Sequence, residues 1–551
     1  MWVYFCKAEN SMNIRTVTAV IGLSMMGGLA GSSPRVQAIP SLLNSPAAGL
    51  GALYLGLPVD AILPSSYDLR KLYRVTPVRN QIPVVGTTLF GVYGSLESTL
   101  KPLENLDFSE NHLDKSSYGG GFLEAKIGAL ARWADPIPEE EDLWLSAPSG
   151  MPESAVKHVQ KVVFLPPRTG ALDNDRIKQA VIDLGAVYAE MYYAPERLNK
   201  AYAAYYNEAS TLTLQSVAII GWDDSFEKAK FIPQPPGNGA FICKNSYGSN
   251  FGEAGYFYVS YHDAFLGRFS LNAVFTAEPA AGLTRNYQHD LVGCTARIGF
   301  SAESAWFANQ FVSVATDPLR AVSFYSYHPA AVYEIFVYRD STPGLPRSGT
   351  LAARISGILD VPGYLTIELP APIPLLVNQR FSVVAKLETP GDVFPIPIEH
   401  PIAGFNAPFQ ASVNESFISP DGTAWTDLTR AQGTTYLRSN VCLKAFAGYA
   451  PIYPPAQLRL DRLVNNLVFF KEYVDRLIWF PNPNNTQGVV GYRIYRKEKD
   501  AGNDSFQLLA QVGTQNLVYY VRGLKKESAY VYRLTAVTES GREGDPAEIA
   551  G

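Results

Sequence analysis

Apolar residues recur at helical spacing in only a few stretches of the first half of the chain. Leu89, Tyr93, Leu96 and Leu100 follow a period of three to four residues, and Ile127, Leu130 and Ala134 repeat it beside Trp133. Each stretch predicts a helix with one buried face. Farther on the pattern shortens: Val217 to Trp222 and Gly255 to Tyr261 (GYFYVSY) are β-rich runs bounded by Gly and Asp, as strands are. Helices first and strands later, over residues 63–279, predict an α+β domain.

From residue 282 to 449 no helical period persists. Ala321 to Tyr327, Val332 to Tyr338, Tyr364 to Leu369 and Arg380 to Lys386 read as strands separated by Pro and Gly turns. A β-sandwich of jelly-roll type is the architecture this predicts. Pro451-Ile452-Tyr453-Pro454-Pro455 marks a junction to a last unit, residues 455–551. There, Leu477-Ile478-Trp479, Tyr492 to Tyr495 and Tyr530 to Leu534 alternate at period two, and Leu524 stands six residues before Tyr530, the spacing of a tyrosine corner. This pattern resembles a fibronectin type III domain.

The 551 residues exceed the size of one ordinary core, and 47% hydrophobic against 18% charged residues supports folding throughout. A net charge of −5 without a long Lys or Arg run gives no footprint for nucleic acid. At the N-terminus Arg15 precedes the apolar stretch Val17 to Ala30, and Val36-Gln37-Ala38 offers small residues for cleavage. Residues 1–38 thus read as an export signal and 39–62 as a short leader. The stretch is short of the about 20 apolar residues that a span requires, so no stable membrane span is expected. Met12 is an alternative start. The reading places the protein outside the cytoplasm: secreted, periplasmic or at the cell surface. Removing the signal leaves Cys243, Cys294 and Cys442, enough for one disulfide at most; Cys294 and Cys442 lie near the two ends of the second region and could staple it.

Three blocks carry a resemblance. The first is "LPSSYDLRKLYRVTPVRNQ", leading into "NQIPVVGTTLFGVYGSLES"; the second is "DFSENHLDKSSYGGGF". The third runs from "LQSVAIIGWDD" through "GAFICKNSYGSNFGEAGYFYVSYHD". In this order they resemble the papain-like cysteine peptidase family over residues 63–279. Aligned on Gln81 and Phe90, the family's nucleophilic Cys falls on Thr87, its Trp neighbour on Thr88 and its first motif Cys on Val84. The catalytic His falls on Gln215 and the orienting Asn on Asn245. Gln81 stands where the family's oxyanion Gln stands, and Gly120-Gly121 where the family's backbone binds an extended peptide.

That resemblance implies a papain fold but not its chemistry. A papain-type thiol ionises beside an imidazolium at a helix N-terminus and attacks as thiolate. Thr87 forms no comparable ion, and a carboxamide at Gln215 takes no proton near neutrality. Cys243, two residues before Asn245, reads as an inert buried thiol. His112, His158 and His262 fall within the domain but read as surface or element-end residues. Glycines at 120 and 121 serve peptide binding by strand addition or a turn with positive φ equally well. Gln81 and Asn245 serve backbone satisfaction equally well.

Residues "NYQHDLVGCTARIGFSAESAWFANQFVSVATDPLRAVSFYSYHPAAVYEIFVYRD" resemble the lectin-like domain that follows the peptidase in some bacterial members of the family. Trp306, Trp425, Tyr325 and Tyr327 are its available aromatics for stacking on sugars, though a sandwich keeps most aromatics in its core. No HExxH, paired CxxC or EF-hand loop is present, so neither metal nor cofactor is expected. Asp223-Asp224 reads as a turn. The whole chain reads as a multidomain protein: a papain-like α+β domain, a lectin-like β-sandwich and a fibronectin type III-like β-sandwich. Its expected function is that of a pseudoprotease binding a peptide or protein segment, a carbohydrate, or both. An active cysteine peptidase and a structural adhesin are the alternatives.

Overall fold

The computed structural model describes residues 35–38 and 63–551, except 83–85, 145–154, 210, 212, 280–281, 450–451, 467, 469, 486–487, 503–504 and 540. The apolar N-terminal stretch, the leader and the Val84–Val85 pair lie outside the described residues. Arg35–Ala38, which holds the candidate cleavage positions, forms a strand antiparallel to Ala296–Gly299. Among the described residues no helix is long and apolar enough to cross a membrane.

Among the described residues four α-helices shape the first domain: α1 (Thr87–Leu100), α2 (Glu110–Ser116), α3 (Leu123–Ala131) and α4 (Asp175–Asp183). The Ser109 hydroxyl accepts the His112 N–H at 3.0 Å and so caps α2. In α1 every residue except Thr99 is buried, so it has no solvent face. Strands lie on one side of it and α2 and α3 on the other, and its buried polar side chains are bonded: Ser95 donates to the Ala186 carbonyl at 2.6 Å, Ser98 to the Arg74 carbonyl at 2.7 Å, and Glu97 accepts the Phe108 N–H at 3.1 Å. The second periodic stretch ends earlier than its spacing suggests, because Trp133 takes φ +65° and the chain leaves α3 before Ala134. Val217 to Trp222 falls inside the strand Thr213–Asp223, and Gly255 to Tyr261 gives Tyr256–Ser260.

The first two domains share a sheet. Among the described residues 13 strands join, and Lys157–Leu165 of the peptidase-like part pairs with Gly363–Ile373 of the next region, Val162 opposite Tyr364. The joint is packed as well as hydrogen-bonded. Trp133 stacks on His158 at 3.7 Å and on Phe446 at 4.8 Å, and Arg132 Nη1 donates to the Leu291 carbonyl at 2.7 Å. A Cβ on Gly128 would sit 1.9 Å from the Val292 carbonyl oxygen, so α3 reaches this contact only as glycine.

The second region adds a six-stranded sheet (Thr350–Ile358, Val332–Arg339, Arg380–Glu388, Ser304–Val312, Ser416–Ser419, Thr426–Asp427) and three strands (Ala296–Gly299, Ile396–Glu399, Asn440–Val441) that join Arg35–Ala38 in a four-stranded one. Phe307, Ile335 and Val383 from the six-stranded sheet share one core with Val322, Phe324 and Ala445 of the large sheet, which makes a sandwich. The last unit has three strands (Ala456–Asn466, Lys471–Phe480, Val518–Leu524) and four (Gln507–Gly513, Val489–Glu498, Tyr530–Thr538, Ala547–Ala550) around Trp479, Tyr492 and Leu534. Here the alternating positions point inward as anticipated: Leu477 and Trp479 are buried, Ile478 between them is not. Tyr530 lies under Arg496 at 4.3 Å, and it is Tyr532 whose hydroxyl is buried, donating to Asp475 at 2.6 Å.

Two histidines read as peripheral are in fact interior. His112 holds Asp135 through Nδ1 at 2.9 Å, and His158 lies under Trp133, where burial brings its pKa down to about 4. Their periodic context did not show this because their partners come from distant segments. Cys294 and Cys442 enter the same core cluster but as free thiols, and Cys294 donates to the Ala296 carbonyl at 3.3 Å.

Candidate functional site

The first turn of α1 brings Thr87 to the strand Thr213–Asp223. Gly86 is its N-cap, and no side chain caps the helix. Thr87 Oγ1 accepts the backbone N–H of Ser216 at 3.1 Å and lies 3.4 Å from the Ser216 hydroxyl. Thr88 turns the other way and donates to the Gly121 carbonyl at 3.0 Å.

Gln215, fully buried, is held at both ends of its amide. Its Nε2 donates to Asn245 Oδ1 at 2.7 Å, and Tyr247 donates its hydroxyl to Gln215 Oε1 at 2.8 Å. Asn245 Oδ1 also accepts the Ser246 N–H at 2.9 Å, while its Nδ2 is buried without a partner. Ser246 then donates to Gln81 Oε1 at 2.5 Å, and the Gln81 N–H returns to the Ser246 carbonyl at 2.8 Å. Gln81, Gln215 and Asn245 therefore form one amide–hydroxyl network, in which none of the three amides titrates near neutrality. Tyr247 and Phe251 pack edge to face at 5.4 Å within an aromatic group that includes Tyr193.

Gly120 and Gly121 stand apart from that network. The positive φ angles in this turn belong to Tyr118 and Gly119, which corrects the reading of Gly120-Gly121 as its left-handed positions. Gly120 is instead a packing requirement: a Cβ there would meet Ala125 Cβ at 2.6 Å and the ring of Phe405 at 3.1 Å. Gly121 is exposed, and no atom would meet its added Cβ within 4 Å.

Several polar residues beside the site carried no signal in the sequence. The Ser216 hydroxyl lies 3.1 Å from that of Tyr188, which donates to Glu190 Oε1 at 2.8 Å. Burial raises the pKa of Tyr188 and of Glu190. Glu124, on α3, has both carboxylate oxygens buried without a partner, and burial pushes its pKa up to about 8, with Glu190 adding to the rise. Under α1, Lys244 donates to Thr76 Oγ1 at 2.9 Å, and burial lowers its pKa. Cys243 is fully buried, and burial raises its thiol's pKa. Among the described residues no imidazole contacts Thr87, whose hydroxyl partners are a backbone N–H and another hydroxyl.

The aromatics singled out for sugar stacking are not presented for it. Tyr325 and Tyr327 are core residues at 2% and 5% exposure. Trp306 is half-buried with the Arg347 guanidinium 5.0 Å over its ring, and Trp425 packs half-buried on the same cluster.

Residues 63–269 match the model of the papain family cysteine protease, and residues 286–447 match that of the lectin like domain. The chain carries a papain-family peptidase domain followed by a lectin-like domain. Among solved structures it is similar to the clostridial cysteine protease Cwp84 after propeptide cleavage. That match has 24% identity over 70% of this chain and 100% of that one, with a TM-score of 0.62. A second similar structure holds the cysteine protease and lectin-like domains of Cwp84, a surface layer associated protein of Clostridium difficile. There the identity is 22% over 76% of this chain and 99% of that one, with a TM-score of 0.63. At these identities the likeness is one of fold. No curated protein sequence matches the chain.

Proposed function

We propose that this protein is an exported papain-fold pseudoprotease that binds peptide or glycan and does not cleave peptide bonds. The observation that carries this reading is the state of the two catalytic positions. Thr87, which we assign to the nucleophile's place from the motif alignment, has its oxygen bonded to the Ser216 N–H, and Gln215, assigned to the base's place in the same way, is clamped by Asn245 and Tyr247. Nucleophilic catalysis needs a proton acceptor in reach of the attacking oxygen. The route through Ser216 and Tyr188 ends at Glu190, a carboxyl that burial biases toward its protonated form.

Export is supported by the N-terminal charge-then-apolar pattern, and a secreted, periplasmic or cell-surface location fits the surface-layer association of Cwp84. We read the last unit as fibronectin type III-like, on its three-plus-four strand arrangement around Trp479. Ligand binding is assigned to the surface beside Gly121, which is exposed although its carbonyl already accepts from Thr88, and to the lectin-like domain.

A papain-directed thiol electrophile tests the non-catalytic reading. Incubated with the folded protein and followed by intact mass, it should leave Cys243, Cys294 and Cys442 unmodified, since all three are buried. Rapid stoichiometric labelling of one of them would favour the rival reading, an active cysteine peptidase with a displaced nucleophile.

A further inference from the structure

A cavity of about 700 Å³ opens on the lectin-like domain, where the strand Arg285–Tyr287 meets the end of Ser304–Val312 and the start of Arg380–Glu388. Its size lies within the roughly 300–1,000 Å³ range of small-ligand sites. Its wall is mostly polar, and the charges in it are unequally satisfied. Arg285 pairs with Asp317 at 2.6 Å. The His289 ring, stacked on Phe311 at 4.8 Å, donates Nε2–H to the Gln310 carbonyl at 2.9 Å, and its Nδ1 faces Glu415 at 3.7 Å. Glu415 also accepts the Ser412 N–H at 2.8 Å.

Arg380 differs from these. Half-buried at the start of its strand, its guanidinium has no hydrogen-bond or ionic partner among the described residues, though it lines the cavity. An unpaired, partly desolvated guanidinium is a geometric fork for a carboxylate. Around it Val312, Val314 and Val413 are 41%, 65% and 46% exposed, a small apolar patch next to the charge.

We propose that this cavity is a saccharide site selective for a carboxylate-bearing sugar, with Arg380 as the anion contact and the three valines as the apolar floor. The inference rests on the reading of the lectin-like domain as a glycan binder and adds the site and the ligand's chemical class. A sugar acid matches this wall because its hydroxyls meet amide and carboxylate groups, its carboxylate meets Arg380, and its C–H face meets valines. A peptide is less well served, since the edge strand Arg285–Tyr287 offers only three residues for strand addition. Trp306 does not compete as a stacking platform, because Arg347 already covers its ring.

The test uses the full chain and a panel of oligosaccharides in matched pairs, each uronic- or neuraminic-type acid beside the same chain with its carboxyl reduced to an alcohol. An acidic peptide of equal charge completes the panel, and binding is followed by calorimetry. The expected result is binding of an acidic saccharide at least about tenfold tighter than its reduced partner, the order expected from one charge-assisted hydrogen bond. Arg380→Gln should remove that preference. Val314→Asp, at an exposed position, should weaken both forms, which share the apolar contact, and the acid more, because the new carboxylate repels it. Saccharide binding that ignores both the carboxyl and Arg380→Gln would overturn the site while leaving the glycan reading intact. Binding of the acidic peptide alone, or of no saccharide, would overturn both.

Discussion

The oxygen of Thr87 accepts the backbone N–H of Ser216 at 3.1 Å, which ties the first turn of α1 to the strand bearing Gln215. This makes Thr87 a structural acceptor. Thr87→Val keeps the shape but leaves a buried N–H unpaired, which should cost about 1–3 kcal/mol. Thr87→Ser should retain most of that stability. Denaturant midpoints of the two variants check the difference, and equal midpoints would remove Thr87 from this role.

Restoring the missing pair should not restore hydrolysis. In Thr87→Cys with Gln215→His, the imidazole enters a fully buried place between Asn245 and Tyr247. Tyr247 already packs edge to face with Phe251 and Tyr193 beside that place, so nothing there is shaped to orient an imidazole. A folded double variant without turnover of fluorogenic peptides is the expected outcome; measurable hydrolysis would refute this.

Two buried carboxyls set an unusual pH dependence. Burial pushes Glu124 and Glu399 from 4.5 up to about 8 each. Between those values the unfolded chain has released protons that the folded protein keeps, so stability falls as pH rises, by at most about 1.4 kcal/mol per pH unit for each group. His158 acts in the opposite sense, from 6.5 down to about 4 in the folded state, and is silent above 6.5. Unfolding measured from pH 6.5 to 8 leaves His158 out and reads the raised carboxyls together, with burial also raising Glu110 and Glu190. Glu124→Gln should flatten the decline and raise stability at pH 8; an unchanged slope would show that Glu124 is not held neutral.

The joint between the first two domains depends on close approach at Gly128. Since a Cβ would lie 1.9 Å from the Val292 carbonyl, Gly128→Ala should cost about 1–3 kcal/mol through forced displacement. It should also loosen the joint, read as faster limited proteolysis of the variant. A variant as protease-resistant as the parent would mean that the joint tolerates displacement there.

Much of this organisation was legible because it is local. The three motif blocks lead to Gln81, Thr87, Gln215 and Asn245, and the structure brings Gln81, Gln215 and Asn245 into one network with Thr87 bonded to the residue after Gln215. Strand alternation likewise gave Leu477 and Trp479 their inward facing. What stayed hidden is non-local. Pairing of Val162 with Tyr364 joins two domains into one sheet, and no periodicity records which distant strand a neighbour will be. Burial of His112, His158, Glu124 and Glu190 follows from the same long-range packing, so residue type alone suggested a surface. Trp306 misled for a related reason: its covering group, Arg347, lies 41 residues away.

Peptide turnover by the unmodified chain tests the central claim most directly. Against a broad fluorogenic peptide library, the wild-type protein should give a rate no different from buffer, and Thr87→Val should match it. A wild-type rate above buffer that disappears in Thr87→Val, with both proteins shown to be folded, would contradict the account.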